Sequence, residues 1–149
     1  MNNIQSLVSL EDEFDLIRSY LFIESERFGN RLEVVWEVDE LDGILIPPLS
    51  VQTIVENALN HGILKKQEGG TVTISVQNQA DFHIISVMDD GVGMTVNQVT
   101  DILASPSKHK HGIGISNTNR RLKQLYGKGI RIDSQLHKGT TVSFQIPRR

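Results

Sequence analysis

The chain has 149 residues, 38% of them hydrophobic and 22% charged, which suits a single domain with a real core and excludes a charge-rich disordered segment. Its 15 basic and 18 acidic residues leave a net charge of −3, which argues against a nucleic-acid surface or a polybasic membrane anchor. Without cysteine there is no disulfide scaffold, thiolate metal site or cysteine catalysis, and neither a membrane-length apolar run nor a secretion signal is present, so a cytoplasmic location is expected.

Ser9 followed by Leu10, Glu11 and Asp12 has the form of a helix N-cap with acids in the first turn. Leu10, Phe14, Ile17, Leu21 and Phe28 then recur at helical spacing up to Gly29-Asn30, so residues 1–30 are read as a leading amphipathic helix segment. Leu32, Val34, Trp36 and Val38 alternate with Glu33, Val35 and Glu37, the period of a strand with one better-buried face. Ile46-Pro47-Pro48 supplies an extended pair and a proline suited to a first helical turn, opening a helix from Pro48 to about His61.

On that second helix Val51, Ile54, Val55 and Ala58 form an apolar stripe for the sheet, while Thr53, Glu56, Asn57, Asn60 and His61 gather opposite. A solvated face is one reading of this polar group. Asparagine, however, is a poor residue inside a helix, and two within four positions call for a reason. An amide oxygen directed at Mg²⁺ supplies one, because that ion takes a few hard oxygen ligands and leaves its remaining positions to phosphates and water.

Val72, Ile74 and Val76 alternate again, and the apolar run Phe82 to Met88 ends in Asp89-Asp90-Gly91-Val92-Gly93. Asp-Gly after a strand commonly marks a hairpin, yet no partner strand follows Met94. A carboxylate at a strand end can accept the exocyclic amino proton of adenine, and alternate glycines admit the backbone close to a ring. Residues 95–112 read as one long irregular segment holding the basic run Lys108-His109-Lys110-His111. Gly112-Ile113-Gly114-Ile115 then precedes a helix from Ser116 to Tyr126, with Gly127 beyond its end. Glycines opening a helix fit phosphate binding at the free N–H groups of the first turn. Two strands, at Ile130-Ile132 and Val142–Ile146, close the chain around Gly139-Thr140. Neither a P-loop nor a Rossmann fingerprint is present, and the element order favours an α+β fold with a mixed sheet carrying its helices on one face.

In this order, ENALNH at 56–61, DDGVGM at 89–94, GIGI at 112–115 and Gly139-Thr140 resemble the N-box, the two glycine boxes and the terminal G-T of the ATP-binding domain shared by histidine kinases, DNA gyrase, the heat-shock chaperone and the mismatch-repair ATPase. IPPL followed by VENALNHG and GIGISNTNRRLKQLYG is similar to sensor histidine kinases of the LytS/YesM type. The resemblance implies one domain over 1–149, a two-layer α/β sandwich of the Bergerat type, with ATP and Mg²⁺ as ligands. It implies that Asn57 holds Mg²⁺, Asp89 reads adenine, Gly91, Gly93, Gly112 and Gly114 shape the pocket, and Thr140 supports the adenine end. Asn60, His61, Met94, Ile113 and Ile115 fall in the same boxes and are counted with the nucleotide contacts; residues 95–111 would be an ATP lid.

Two departures bear on chemistry. Hydrolysing relatives carry a water-activating glutamate four positions before the magnesium asparagine, where this chain has Thr53, and the candidates left for a catalytic role are Glu56 and His61. Many histidine kinases carry a lysine where this chain has Asn60. None of His61, His83, His109, His111 or His137 lies in a phosphoacceptor context. The resemblance therefore implies a catalytic domain that phosphorylates a histidine on a segment absent from this chain, with a response regulator downstream, in a membrane-bound homodimer whose cytoplasmic part this is. A stand-alone serine kinase of the anti-sigma type, or a nucleotide-gated interaction module, are the competing expectations.

Overall fold

The computed structural model describes residues 7–104 and 113–148. Helix α1 (Leu10–Phe28) begins where its sequence indicates: Ser9 is extended, at φ −72° and ψ 142°, and its hydroxyl accepts the Asp12 N–H at 3.0 Å. Leu10, Phe14, Ile17 and Leu21 are buried at helical spacing, which fixes the inner face of α1. Phe14 meets Trp36 edge to face at 5.3 Å, tying α1 to strand β2 (Leu32–Val38).

Five strands form the main sheet in the order β2-β4-β5-β7-β6, where β4 is Gly70–Asn78, β5 Phe82–Asp89, β6 Arg131–Gln135 and β7 Gly139–Pro147. β2 and β4 run parallel because a helix crosses between them; every other pairing is antiparallel. Along β4, β5 and β7 the residues Val72, Ile74, Val76, Ile85, Val87, Val142, Phe144 and Ile146 are buried, while the intervening Thr73, Ser75, Ser86 and Ser143 are only half-buried. That alternation is the signature of a sheet covered by helices on one side, and the expected α+β architecture holds.

The crossover helix is shorter than expected. Helix α2 spans Ser50–Asn57, and the chain continues as a π turn over Ala58–Gly62 and a 3-10 turn over Ile63–Lys65. The apolar stripe Val51, Ile54, Val55 and Ala58 is buried as read, but the wider turn also buries Leu59 and Ile63. The first turn of α2 is capped from another helix. Leu49, in left-handed backbone at φ 66°, offers no side-chain cap; instead the Glu13 carboxylate of α1 accepts the N–H groups of Leu49, Val51 and Gln52 at 2.7, 2.8 and 3.1 Å. A two-residue ribbon of β1 (Val8–Ser9) with β3 (Leu45–Ile46), not expected from the sequence, draws the start of α1 beside the entry to α2.

Residues 95–104 depart from the irregular segment expected over 95–112. Val96–Ala104 form helix α3, opened by a reciprocal box in which the Thr95 hydroxyl accepts the Gln98 N–H at 3.1 Å and the Gln98 amide accepts the Thr95 N–H at 2.8 Å. Ile102 is buried, and α3 packs on helix α4 (Ile113–Tyr126). The helix expected from Ser116 thus begins at Ile113, inside the second glycine cluster, and ends with the Gly127 N–H on the Lys123 carbonyl.

Candidate functional site

The asparagine stretch and the first glycine box meet at the end of the sheet where β5 finishes against the turn after α2. Asp89, last residue of β5, is buried and pairs across the ladder with Thr140 of β7. Its carboxylate accepts the Gly91 N–H at 2.8 Å. Burial pushes the Asp89 carboxyl up to about 6; the Gly91 and Thr140 N–H groups and Lys66 pull against that rise, and Asp90 adds to it.

The fit around this carboxylate depends on two glycines. A Cβ on Gly62 would stand 2.5 Å from Asp89 Oδ1, and a Cβ on Gly91 would collide with the Gly62 backbone. Gly62 closes the π turn, so the unusual end of α2 is what brings the helix backbone against the strand end. The Val92 N–H reaches the Gly62 carbonyl at 3.4 Å, completing the junction.

The β6–β7 hairpin holds the other side. Ser134 Oγ stands 2.7 Å from Thr140 Oγ1, donates to the Gly139 carbonyl at 3.1 Å, and accepts the Met94 N–H at 2.8 Å. Gly93, at φ 73°, lies so near the Gln135 carbonyl that a side chain has no room. The first glycine box is thereby pinned between the turn after α2 and the hairpin. An open cavity of about 560 Å³ lies behind this cluster, lined by Thr71, Thr73, Met88 and Thr141 on the helix-free face of the sheet.

Asn57, last residue of α2, is buried, and its Oδ1 has no hydrogen-bond partner. A buried acceptor without a donor is costly, and a cation resolves it. An amide oxygen is the kind of hard ligand that Mg²⁺ takes beside phosphates and water; among the described residues no group of three His, Asp or Glu could hold a metal on its own.

The other expected residues are placed differently. Asn60 is exposed and His61 half-buried on the π turn. Glu56 accepts from the Gln52 amide at 3.2 Å and is close enough to Tyr20 of α1 to help push that phenol, raised chiefly by burial, up to about 12. Its carboxylate thus belongs to the α1–α2 seam and is absent from the groups acting on Asp89. Ile115 is a core side chain, leaving only its backbone to a ligand. Gly114 opens α4 against Thr53 of α2. Gly112, and the part of the expected lid from 105 to 111 with its basic run, lie outside the described residues.

Three contributors were not read from the sequence. Gly62 follows the asparagine-bearing stretch directly, and a glycine there reads as an ordinary helix end. Ser134 sits in a strand of unremarkable alternation. Lys66, whose ammonium donates to the Asp90 carbonyl at 3.0 Å, lies in a surface turn.

The family model described as histidine kinase-, DNA gyrase B-, and HSP90-like ATPase matches residues 47–149. The chain is 38% identical to the Bacillus subtilis (strain 168) protein YwpD over 146 residues, covering 97% of this chain and 51% of that protein. It is 36% identical to the sensor protein LytS of the same organism over 148 residues, covering 96% of this chain and 25% of that one. The chain therefore spans about half the length of the first relative and a quarter of the second. Among solved structures, the nucleotide-free catalytic domain of histidine kinase ThkA superposes with a TM-score of 0.72 at 18% identity, covering 95% of each chain.

Proposed function

Because the chain belongs to the histidine kinase-, DNA gyrase B- and HSP90-like ATPase family, we propose that it binds Mg·ATP and serves as the catalytic domain of a sensor histidine kinase. The observation that carries this reading is the pairing of a buried strand-end carboxylate, Asp89, with a buried and unpartnered amide oxygen, Asn57 Oδ1.

Asp89 accepts the adenine amino proton, held in place by the Gly91 and Thr140 N–H groups. Gly62 and Gly91 keep the carboxylate within reach by presenting no side chain of their own. Asn57 Oδ1 would hold the magnesium, which would supply charge neutralisation for the phosphates. The N–H groups at the start of α4 face the phosphates. What this chain supplies is positioning and charge balance, which is most of what phosphoryl transfer requires. The unprotonated imidazole nitrogen of a histidine outside this chain attacks the γ-phosphorus, the bond to the β–γ bridging oxygen breaks, ADP leaves, and the ring's other nitrogen gives its proton to solvent. Thr53, standing where hydrolysing relatives have a glutamate, supports transfer rather than attack by water. The phosphorylated histidine then serves a response regulator, and the full-length protein is a homodimeric membrane receptor with this domain on its cytoplasmic side.

Calorimetry with ATP and GTP, each with and without Mg²⁺, tests the binding reading: preference for ATP and a gain with Mg²⁺ are expected, and equal affinity for the two nucleotides overturns it. Mixing the chain with the histidine-bearing helical segment of the full-length protein and labelled ATP tests the transfer. Alkali-stable, acid-labile phosphate on that segment is expected; acid-stable phosphate instead assigns the domain to the serine kinases.

A further inference from the structure

Gly114, near the start of α4, lies against Thr53 of α2. A Cβ on Gly114 would stand 2.6 Å from the Thr53 methyl carbon Cγ2, while the Thr53 Cβ and Oγ1 would both be 3.8 Å away. The obstruction is thus a single methyl group. Threonine is β-branched and confined to few χ1 wells, so its methyl retreats only by changing rotamer. Thr53 is also anchored at its backbone, with its N–H on the Leu49 carbonyl at 3.0 Å.

Thr53 precedes Asn57 by one helical turn, so the two side chains leave the same face of α2. The contact of Thr53 with Gly114 therefore sets how far the first turn of α4 stands from the Asn57 amide. We propose that Thr53 is a positioning residue, the spacer that fixes the gap between the metal-binding amide on α2 and the phosphate-facing N–H groups of α4. The inference rests on the nucleotide reading above. It also gives Thr53 a role of its own: its methyl takes up the space beside the glycine.

The prediction is a methyl exchange. Gly114→Ala adds a methyl where Thr53 Cγ2 stands, and Thr53→Ser removes that same carbon while keeping the hydroxyl. The purified chain and its Thr53→Ser, Gly114→Ala and double variants are titrated with ATP in the presence and absence of Mg²⁺. The quantity read is the ratio of the two affinities, because general loosening of the fold weakens both alike. Gly114→Ala should cut the Mg²⁺-linked gain by roughly tenfold or more, and the double variant should recover most of it, since directly contacting residues couple strongly. Loss in the double variant equal to or beyond that in Gly114→Ala overturns the spacer while leaving the nucleotide reading intact. Full retention of the gain in Gly114→Ala does the same. A wild-type chain that binds ATP equally with and without Mg²⁺ overturns both the metal role of Asn57 and the spacer built on it.

Discussion

Asp89 Oδ1 occupies the space in which a side chain on Gly62 would begin, 2.5 Å from where its Cβ would lie. The strand-end carboxylate is therefore wedged against helix backbone. Gly62→Ala should displace it from the Gly91 N–H, weaken ATP binding tenfold or more by calorimetry, and cost about 1–3 kcal/mol of stability through overpacking. Unchanged affinity would mean that the carboxylate does not read the base.

Asp89→Asn should separate stability from binding. The folded-state carboxyl is raised to about 6 from its ordinary 3.8, so the folded chain holds more protons than the unfolded one between those values. Stability from this group is greatest below the lower value and falls as pH rises through about 6. A neutral amide escapes that penalty, which from the size of the shift is on the order of 3 kcal/mol. An amide keeps one acceptor oxygen and turns donors toward the Gly91 and Thr140 N–H groups, a pH-independent cost, so the melting temperature of the variant relative to wild type should be higher near pH 8 than near pH 4. ATP affinity should move the other way: the wild type should bind more weakly as pH falls below about 6, because the protonated carboxyl no longer accepts freely from adenine. A melting difference that is the same at all pH values would contradict the buried-carboxylate account.

Asn57→Ala should be nearly free for the fold. The amide oxygen has no donor in the folded chain, so deleting it removes a desolvated acceptor and no hydrogen bond at that atom. The melting temperature should hold or rise, while the gain in ATP affinity from Mg²⁺ disappears. A large fall in melting temperature would make the amide structural.

Glu13→Gln should damage the entry to α2. A carboxylate accepts three N–H groups there, whereas an amide turns its own donors toward one or more of them. A loss of about 1–3 kcal/mol in urea unfolding is expected, the usual cost of unsatisfied buried groups.

Much of this architecture was legible because it depends on short-range pattern. The Ser9 cap, strand β2 with Val34, Trp36 and Val38 against the core, and the stripe on α2 each follow from a few consecutive residues, and all three stand in the structure. Helix α3 was also written locally, in Thr95-x-x-Gln98 and in Val96, Val99, Ile102 and Leu103 at helical spacing, of which Ile102 is the buried anchor. The π turn was not legible: its extra residue is favoured by the burial of Leu59 and Ile63 against the sheet, a tertiary effect. For the same reason Asn57 and Asp89 could be singled out by residue type, while Gly62 and Ser134 emerge only when distant segments are brought together.

The carboxylate of Glu13 also ties α2 to residues outside the matched stretch. The family match opens at residue 47, yet the N–H groups at the head of α2 are satisfied from residue 13, and Leu10, Phe14, Ile17 and Leu21 fill the core beneath. A fragment trimmed to the matched stretch would expose that apolar floor and leave the helix carrying Asn57 with an open first turn. Among the described residues, α1 and the ribbon of β1 with β3 are therefore part of what holds the helix that bears Asn57.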